Sequence, residues 1–198
     1  MKYSLKRILK QILGLVHDKR TFGYLSESAT LPDNVIISNP SNIFVYDRVS
    51  ISSGAILYAT NAKIIIKKFF VSAYGLKIST GQHERRIGRF LGSITEVDKN
   101  HSLGLDKDVI INEDVWAGFN VCIMAGVEIG RGCTLAAGTV VTKSIPPYCI
   151  AAGVPAKVIK FYWSIEQILE HEKYLYKEEE RYTKEELIDI FREFKQNI

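Results

Sequence analysis

No run of apolar residues in this 198-residue chain approaches the ~20 that a membrane-spanning helix needs, so no span is expected. Its cysteines, Cys122, Cys133 and Cys149, are odd in number and share no metal-ligand spacing, which argues against a secreted disulfide scaffold. A stripe of basic residues with motif support is also missing, and the formal net charge of +4 is mild, so a nucleic-acid partner is not expected. The opening residues are basic, but lysine and arginine interrupt their apolar positions and no A-x-A-like cleavage site follows. A signal peptide is therefore not expected, and the default compartment is the cytoplasm. What remains, 46% hydrophobic and 24% charged, is the composition of an ordinary soluble globular protein with one sizeable core.

Within that composition lies a strict rhythm. Ile111, Ala117, Ile123, Ile129, Leu135 and Val141 stand six apart without a slip, and four positions beyond each come Val115, Val121, Val127, Cys133, Thr139 and Ile145. An α-helix repeats every 3.6 residues and a plain strand every two, so a strict six belongs to neither. It is what a parallel β-helix requires: one short strand and one turn per face, with one aliphatic side chain buried per face. Cys133, at an inward position, reads as a small core hydrophobe.

The rhythm begins earlier and is broken in places. Leu31 and Ile37 keep it loosely around a break at Asn39-Pro40. Val45, Ile51 and Leu57 keep it cleanly, with Val49 and Ile56 in support. Asn61-Ala62-Lys63 inserts about three residues, and Ile66, Ser72 and Ile78 resume, with Phe70 and Leu76 at the offset of four. From Ser79 to about Asp108 the periodicity vanishes. A loop of that length inside a regular solenoid is usually functional or disordered. The pair Pro146-Pro147, unable to donate to a ladder, is expected to end the regular part.

The flanks read as helical. Residues 1–22 place Leu5, Ile8, Leu9, Ile12, Leu13 and Val16 on one face with Lys6, Arg7 and Lys10 opposite. This amphipathic helix either packs on the protein or a neighbouring subunit, or rests on the inner face of a membrane. Residues 161–198 carry two capping boxes, Ser164 with Gln167 and Thr183 with Glu186, each followed by apolar residues at helical spacing. The charged run from Lys177 to Arg181 reads as a solvated face. Helices here would cap the open end of the solenoid.

From about Asn42 to Lys160 the chain resembles the hexapeptide-repeat acyltransferases, most specifically in D-V-W-A-G, T-K-S-I-P-P and A-A-G-V-P-A-K-V-I-K, and within them the galactoside, maltose and polysaccharide O-acetyltransferases. The resemblance implies a mainly β fold, a left-handed parallel β-helix over residues 23–160 with an inserted loop at 79–108. It also implies a homotrimer with active sites between subunits, and acetyl-CoA as the acyl donor with no metal. Handedness comes from the resemblance alone, since periodicity does not give it and right-handed crossovers are the rule elsewhere.

The chemistry narrows the candidates. Moving an acetyl group from a thioester to a hydroxyl requires a base that titrates near neutrality, which favours histidine. His17 and His171 lie in the helical flanks, and His101 has no motif support. His83, in S-T-G-Q-H at the onset of the loop, matches the family's catalytic histidine and is expected to be the general base. A group must fix its tautomer, and Glu84, Glu96 and Asp98 are near in sequence without one being singled out. Trp116 should point outward, where it is costly unless covered. Burial in the trimer interface and lining of the acetyl-transfer pocket both account for it. Ala137, Thr142, Lys143, Lys157 and Lys160 match the family's CoA contacts. Phe119 stands where the family usually has a small residue, and a bulky ring there would reshape the channel. Lysine at Lys157 or Lys160, where arginine is frequent, keeps the charge and loses the bidentate fork.

The expected function is acetyl-CoA-dependent O-acetylation of a sugar hydroxyl in polysaccharide or surface-glycan biosynthesis, with acceptor contacts from residues 79–108, Tyr46, Tyr58 and Tyr74. The alternatives are an antibiotic O-acetyltransferase and a non-catalytic trimeric scaffold. Serine O-acetylation lacks its long helical N-terminal domain, and a carbonic-anhydrase-type zinc site lacks its third histidine.

Overall fold

The computed structural model describes residues 21–196, so the helix expected at residues 1–22 lies almost wholly outside the described residues. From Tyr24 onward the chain winds into a three-faced coil. The first face stacks β1 (Tyr24–Leu25), β3 (Ile43–Val45), β5 (Ile64–Ile66), β8 (Val109–Ile111) and β11 (Glu128–Ile129). The second stacks β6 (Val71–Ser72), β9 (Trp116–Ala117), β12 (Thr134–Leu135), β14 (Cys149–Ala152) and β15 (Lys157–Phe161). The third stacks β2 (Ile36–Ser38), β4 (Ile56–Tyr58), β7 (Lys77–Ser79), β10 (Cys122–Ile123) and β13 (Val140–Val141). All pairings are parallel except that of β14 with β15.

Register explains why a six-residue period produces this shape. Glu128 pairs with Ile110, Thr134 with Trp116 and Val140 with Cys122, so in this uninterrupted coil partners on all three faces are 18 residues apart, three periods of six. Each inward position therefore falls on the same column as its counterpart a coil away. Ile111, Ala117, Ile123, Ile129, Leu135 and Val141 are all buried, as are their companions Val115, Val121, Val127, Cys133, Thr139 and Ile145. Together with Val45, Ile51, Leu57, Ile66, Phe70 and Leu76 they form one continuous core along the axis. Leu31 and Ile37, where the rhythm was loose, are only partly buried.

Two corners of the prism are tight and repeat a left-handed backbone residue. Arg48, Phe69, Asp114, Gly132 and Tyr148 take it between the first and second faces, and Gly54, Gly75, Asn120 and Gly138 between the second and third. Side chains at such φ are strained outside glycine, asparagine and aspartate, and the cost is met by the ladder bonds on either side. At Gly132 a Cβ would also collide with the Tyr148 ring.

Pro146-Pro147 does not end the sheet, contrary to the sequence expectation. The prolines turn a corner where Ile145 N–H donates to Glu128 O at 2.9 Å and Tyr148 N–H to Arg131 O at 2.8 Å, so no donor is missed. The chain then adds β14 in parallel and folds back as β15, which covers the end of the second face. Helices α1 (Ile165–Leu175) and α2 (Lys184–Gln196) follow, and both expected capping boxes are formed. They dock through a buried polar knot. The Glu172 carboxylate is fully enclosed and accepts from Tyr148 Oη at 2.8 Å and Tyr182 N at 2.6 Å, with Arg131 at 3.4 Å. Arg131 is itself held between the Tyr176 and Tyr182 rings, 4.3 and 4.9 Å from their centroids. Burial and the Glu172 carboxylate push the Tyr148 hydroxyl well above its ordinary pKa, so it stays a donor.

Leu135 has no exposed surface and sits between Ala117 and Ala151 in the ladder. Leu135→Ala is expected to lower unfolding stability by about 2–5 kcal/mol, read by denaturant titration with the same m-value as the parent chain.

Candidate active site

Every departure from the six-residue period falls on one edge of the prism, where the third face hands over to the first. Coil-to-coil separations are 20 residues between Ile36 and Ile56, 21 between Ile56 and Lys77, 45 between Lys77 and Cys122, and 18 between Cys122 and Val140. The same values recur on the other faces, as in Ile43 with Ile64 and Ile64 with Val109, so each insertion is absorbed at this edge. The breaks at Asn39-Pro40 and at Asn61-Ala62-Lys63, and the long excursion of residues 80–108, thus stack above one another. Ser79 still belongs to β7, so the excursion starts at Thr80.

His83 stands just outside this edge. Its side chain is exposed and has no hydrogen-bond partner within the chain, among the described residues. Tyr58 lies one coil above in register with Ser79, and Met124 and Thr142 lie one and two coils below it. With strands 4.7–4.9 Å apart, Thr142 and Lys143 are about 10 Å down the edge from the root of the excursion.

None of the three carboxylates near in sequence orients the imidazole within the chain. Glu84 is buried, bonded to the Arg86 guanidinium and to the Asn100 N–H at 2.7 Å. Its carboxyl is held down to a pKa of about 2, first by Arg86 and then by that N–H. Glu96 accepts from Asn61 Nδ2 at 2.6 Å, and Asp98 from the Thr95 hydroxyl at 2.9 Å with Arg89 at 3.5 Å.

The other expected residues divide between one face and two edges. Ala137 is exposed at the second–third edge, directly one coil below Phe119, whose carbonyl accepts the Gly138 N–H at 2.7 Å. A Cβ at Gly118 would lie 2.8 Å from the Ala137 nitrogen, so the backbones here pack with no room for a side chain. Trp116 is 54% exposed on the second face, in one outward column with Thr134, Ile150 and Lys160. Lys157 pairs with Ala152 at the far end of the same hairpin. Lys143, Lys157 and Lys160 are exposed, and no carboxylate pairs with them among the described residues. Within one chain, then, His83 occupies one edge while Trp116 and Lys160 occupy the face opposite it. Of the other histidines, His171 packs 4.6 Å from Trp163 in the helical cap, and His17 lies outside the described residues.

A second cluster went unnoticed in the sequence. Asn61, Lys99, His101, Leu105 and Asp106 line a hollow of about 180 Å³ beside the root of the excursion. Glu96, His101 and Asp106 bring one donor atom each within 4.8 Å, a set of the kind that can hold a cation. The Lys99 ammonium already lies there, 2.6 Å from Asp106 and 3.7 Å from Glu96, and supplies the positive charge. The one sequence signal was the insertion at Asn61, which falls on the same edge as the excursion.

The low pKa of Glu84 has a testable sign. A carboxylate at about 2 in the folded chain, against an ordinary 4.5, stabilises the fold above pH 4.5 and loses that contribution as pH falls toward 2. Hydrogen-exchange protection of the Asn100 amide is expected to decay across that window. In Glu84→Gln it should be low and flat with pH.

Residues 108–143 match the family model described as bacterial transferase hexapeptide (six repeats). A probable macrolide acetyltransferase of Lysinibacillus sphaericus is 39% identical over 120 residues, 54% of this chain and 64% of that protein. A solved maltose O-acetyltransferase of Clostridium difficile 630 superposes with a TM-score of 0.63 at 26% identity, over 83% of this chain and 79% of that one. A hexapeptide-repeat-containing acetyltransferase of Vibrio cholerae O1 biovar eltor, complexed with acetyl-CoA, gives 0.65 at 23% identity over 81% and 80%, a likeness of fold. The chain spans just under two thirds of the length of the curated relatives it matches. Repeat period, ladder register and these likenesses converge: residues 108–143 carry the hexapeptide repeat of bacterial transferases, and the chain is similar in sequence and fold to hexapeptide-repeat acetyltransferases.

Proposed function

We propose that this protein transfers an acetyl group from acetyl-CoA to a hydroxyl of a sugar, in polysaccharide or surface-glycan biosynthesis, with His83 as general base. The observation that carries the reading is the placement of His83: an exposed imidazole, without a partner among the described residues, at the start of the long excursion and on the edge that absorbs the insertions. The maltose O-acetyltransferase of matching fold supports a carbohydrate acceptor.

In this reading the neutral imidazole takes the proton of the acceptor hydroxyl as its oxygen attacks the thioester carbonyl. The new C–O bond forms, the C–S bond breaks, and the proton passes to the leaving thiolate to give free CoA. Lys143, Lys157 and Lys160 would meet the phosphates of the donor and Thr142 would add a hydroxyl, while Ala137 and the open corner at Gly138 leave room for the pantetheine arm. Phe119, one coil above Ala137, would narrow that path. The lysines are point charges rather than forks, so they hold phosphate with less angular demand than arginine.

The separation of His83 from Trp116 and Lys160 bears on assembly. If one reaction uses both, they come from different copies of the chain, which supports a homotrimer with the site between subunits. Half-exposed Trp116, beside Val71 at 46% exposure, is then covered by the neighbour. The reading places the enzyme in the cytoplasm, with the basic segment at residues 1–22 available to the inner membrane face.

A second reading has its own support. The Lysinibacillus sphaericus relative is named for macrolides, which fits an antibiotic hydroxyl as acceptor on the same machinery. A panel of maltose, galactosides, oligosaccharides and macrolides with acetyl-CoA, followed by thiol release, separates the two. Turnover on the sugars supports the first, and turnover on macrolides alone replaces it. In either case His83→Ala is expected to lose about 10²- to 10⁴-fold in kcat with the oligomer intact by light scattering. Near-parental turnover in that variant would overturn His83 as the base.

A further inference from the structure

We propose that Asp106 is a positioning residue for His83, holding the backbone of Gln82 so that the imidazole meets the acceptor in one orientation. The inference rests on the reading of His83 as general base.

The excursion leaves the coil at Thr80 and returns at Lys107, and two bonds clip its ends together. Lys107 N–H donates to Thr80 O at 2.9 Å, and Gln82 N–H donates to Asp106 Oδ1 at 3.3 Å. The second bond is on the residue immediately before His83. Asp106 does not touch the imidazole; it fixes the peptide that carries it.

The carboxylate is well placed to serve as an anchor because it is itself immobilised. Its side chain is only 8% exposed, both its oxygens lie 2.6 Å from Lys99 Nζ, and Asn61 Nδ2 donates to Oδ2 at 2.9 Å. Burial alone would raise its pKa. Asn61, Lys99 and the Gln82 N–H outweigh that, so it is ionised and accepts strongly. Asn61 belongs to the insertion one coil above, so Asp106 ties the excursion to the regular coil. The close approach also explains Gly81: a Cβ there would lie 2.5 Å from Thr60 Oγ1 and 3.1 Å from Asp106 Oδ1.

Without the Gln82 bond, the remaining ties before His83 are a long bond from Ser79 Oγ to the Gly81 carbonyl at 3.4 Å and those at Thr80. A base held by a loose peptide samples many orientations, and small misplacements near reacting atoms cost up to about 10²-fold in rate.

The test uses the full chain. Asp106→Ala is expected to speed exchange of the Gln82 amide by about tenfold or more. It should also lower kcat for thiol release from acetyl-CoA by about 10- to 100-fold, with water or the best panel sugar as acceptor, while KM for acetyl-CoA stays within about threefold. Asp106→Asn keeps an oxygen acceptor for Gln82 and should recover to within about fivefold. In a His83→Ala background Asp106→Ala should cost nothing further, because the two act as one unit. Multiplicative losses in the double variant, or unchanged Gln82 exchange in the single one, overturn the proposal. If Asp106→Ala does not fold, Asn61→Ala, which removes one donor from the carboxylate, is judged by the same exchange and non-additivity criteria. A fully active His83→Ala would instead sink the assignment of the base, while amide exchange would still decide whether Asp106 holds Gln82.

Discussion

Strands of two or three residues do not persist alone, and here each one depends on the coil above and the coil below to receive its N–H and C=O groups. That mutual dependence is the constraint from which the rest follows. It demands that equivalent residues recur at one spacing, and it forces one small or aliphatic side chain inward at each face. A single misplaced residue would shift every later side chain off its column. The core is therefore a stack of short layers, and its cohesion is shared along the axis rather than concentrated at a centre.

Among the described residues, the candidate chemistry lies where this demand is relaxed. Two corners turn tightly through left-handed residues at fixed positions and admit no change of length. The third corner accepts additions of two or three residues and then the whole of 80–108, after which the ladder resumes in register. His83 sits at the mouth of the longest addition, with Asp106 and Glu84 bonded on either side of it and neither touching it. The second face carries Trp116, Lys157 and Lys160, while Lys143 lies on the variable edge. The division is spatial: rigid faces that stack, and one edge that varies in length.

Burial was legible wherever it was periodic. The inward positions from Ile111 to Ile145 could be read directly because the same column is filled every six residues, and both capping boxes could be read because their partners lie three residues apart. The end of the sheet was misread at Pro146-Pro147, since a proline's missing donor matters only where a ladder bond is due, and a corner needs none there. Glu172 gave no signal, being one acidic residue among many in a charged helix, although Arg131 and Tyr148 enclose it. Asn61 and Asp106 were equally hidden, for their bond spans 45 residues and crosses a stretch with no period. Position in a repeat is local information; partnership across an irregular segment is not.

Confining irregularity to one corner has a thermodynamic consequence. The entropic cost of closing a loop grows only with the logarithm of its length, so doubling a segment such as 80–108 costs about 0.6 kcal/mol. The coil surrenders no ladder bond to such a change, because both ends of the segment return to the same clip between Thr80 and Lys107. Insertions and deletions at this corner can thus accumulate while the folding free energy hardly moves, and a single scaffold tolerates new loops at little risk of unfolding.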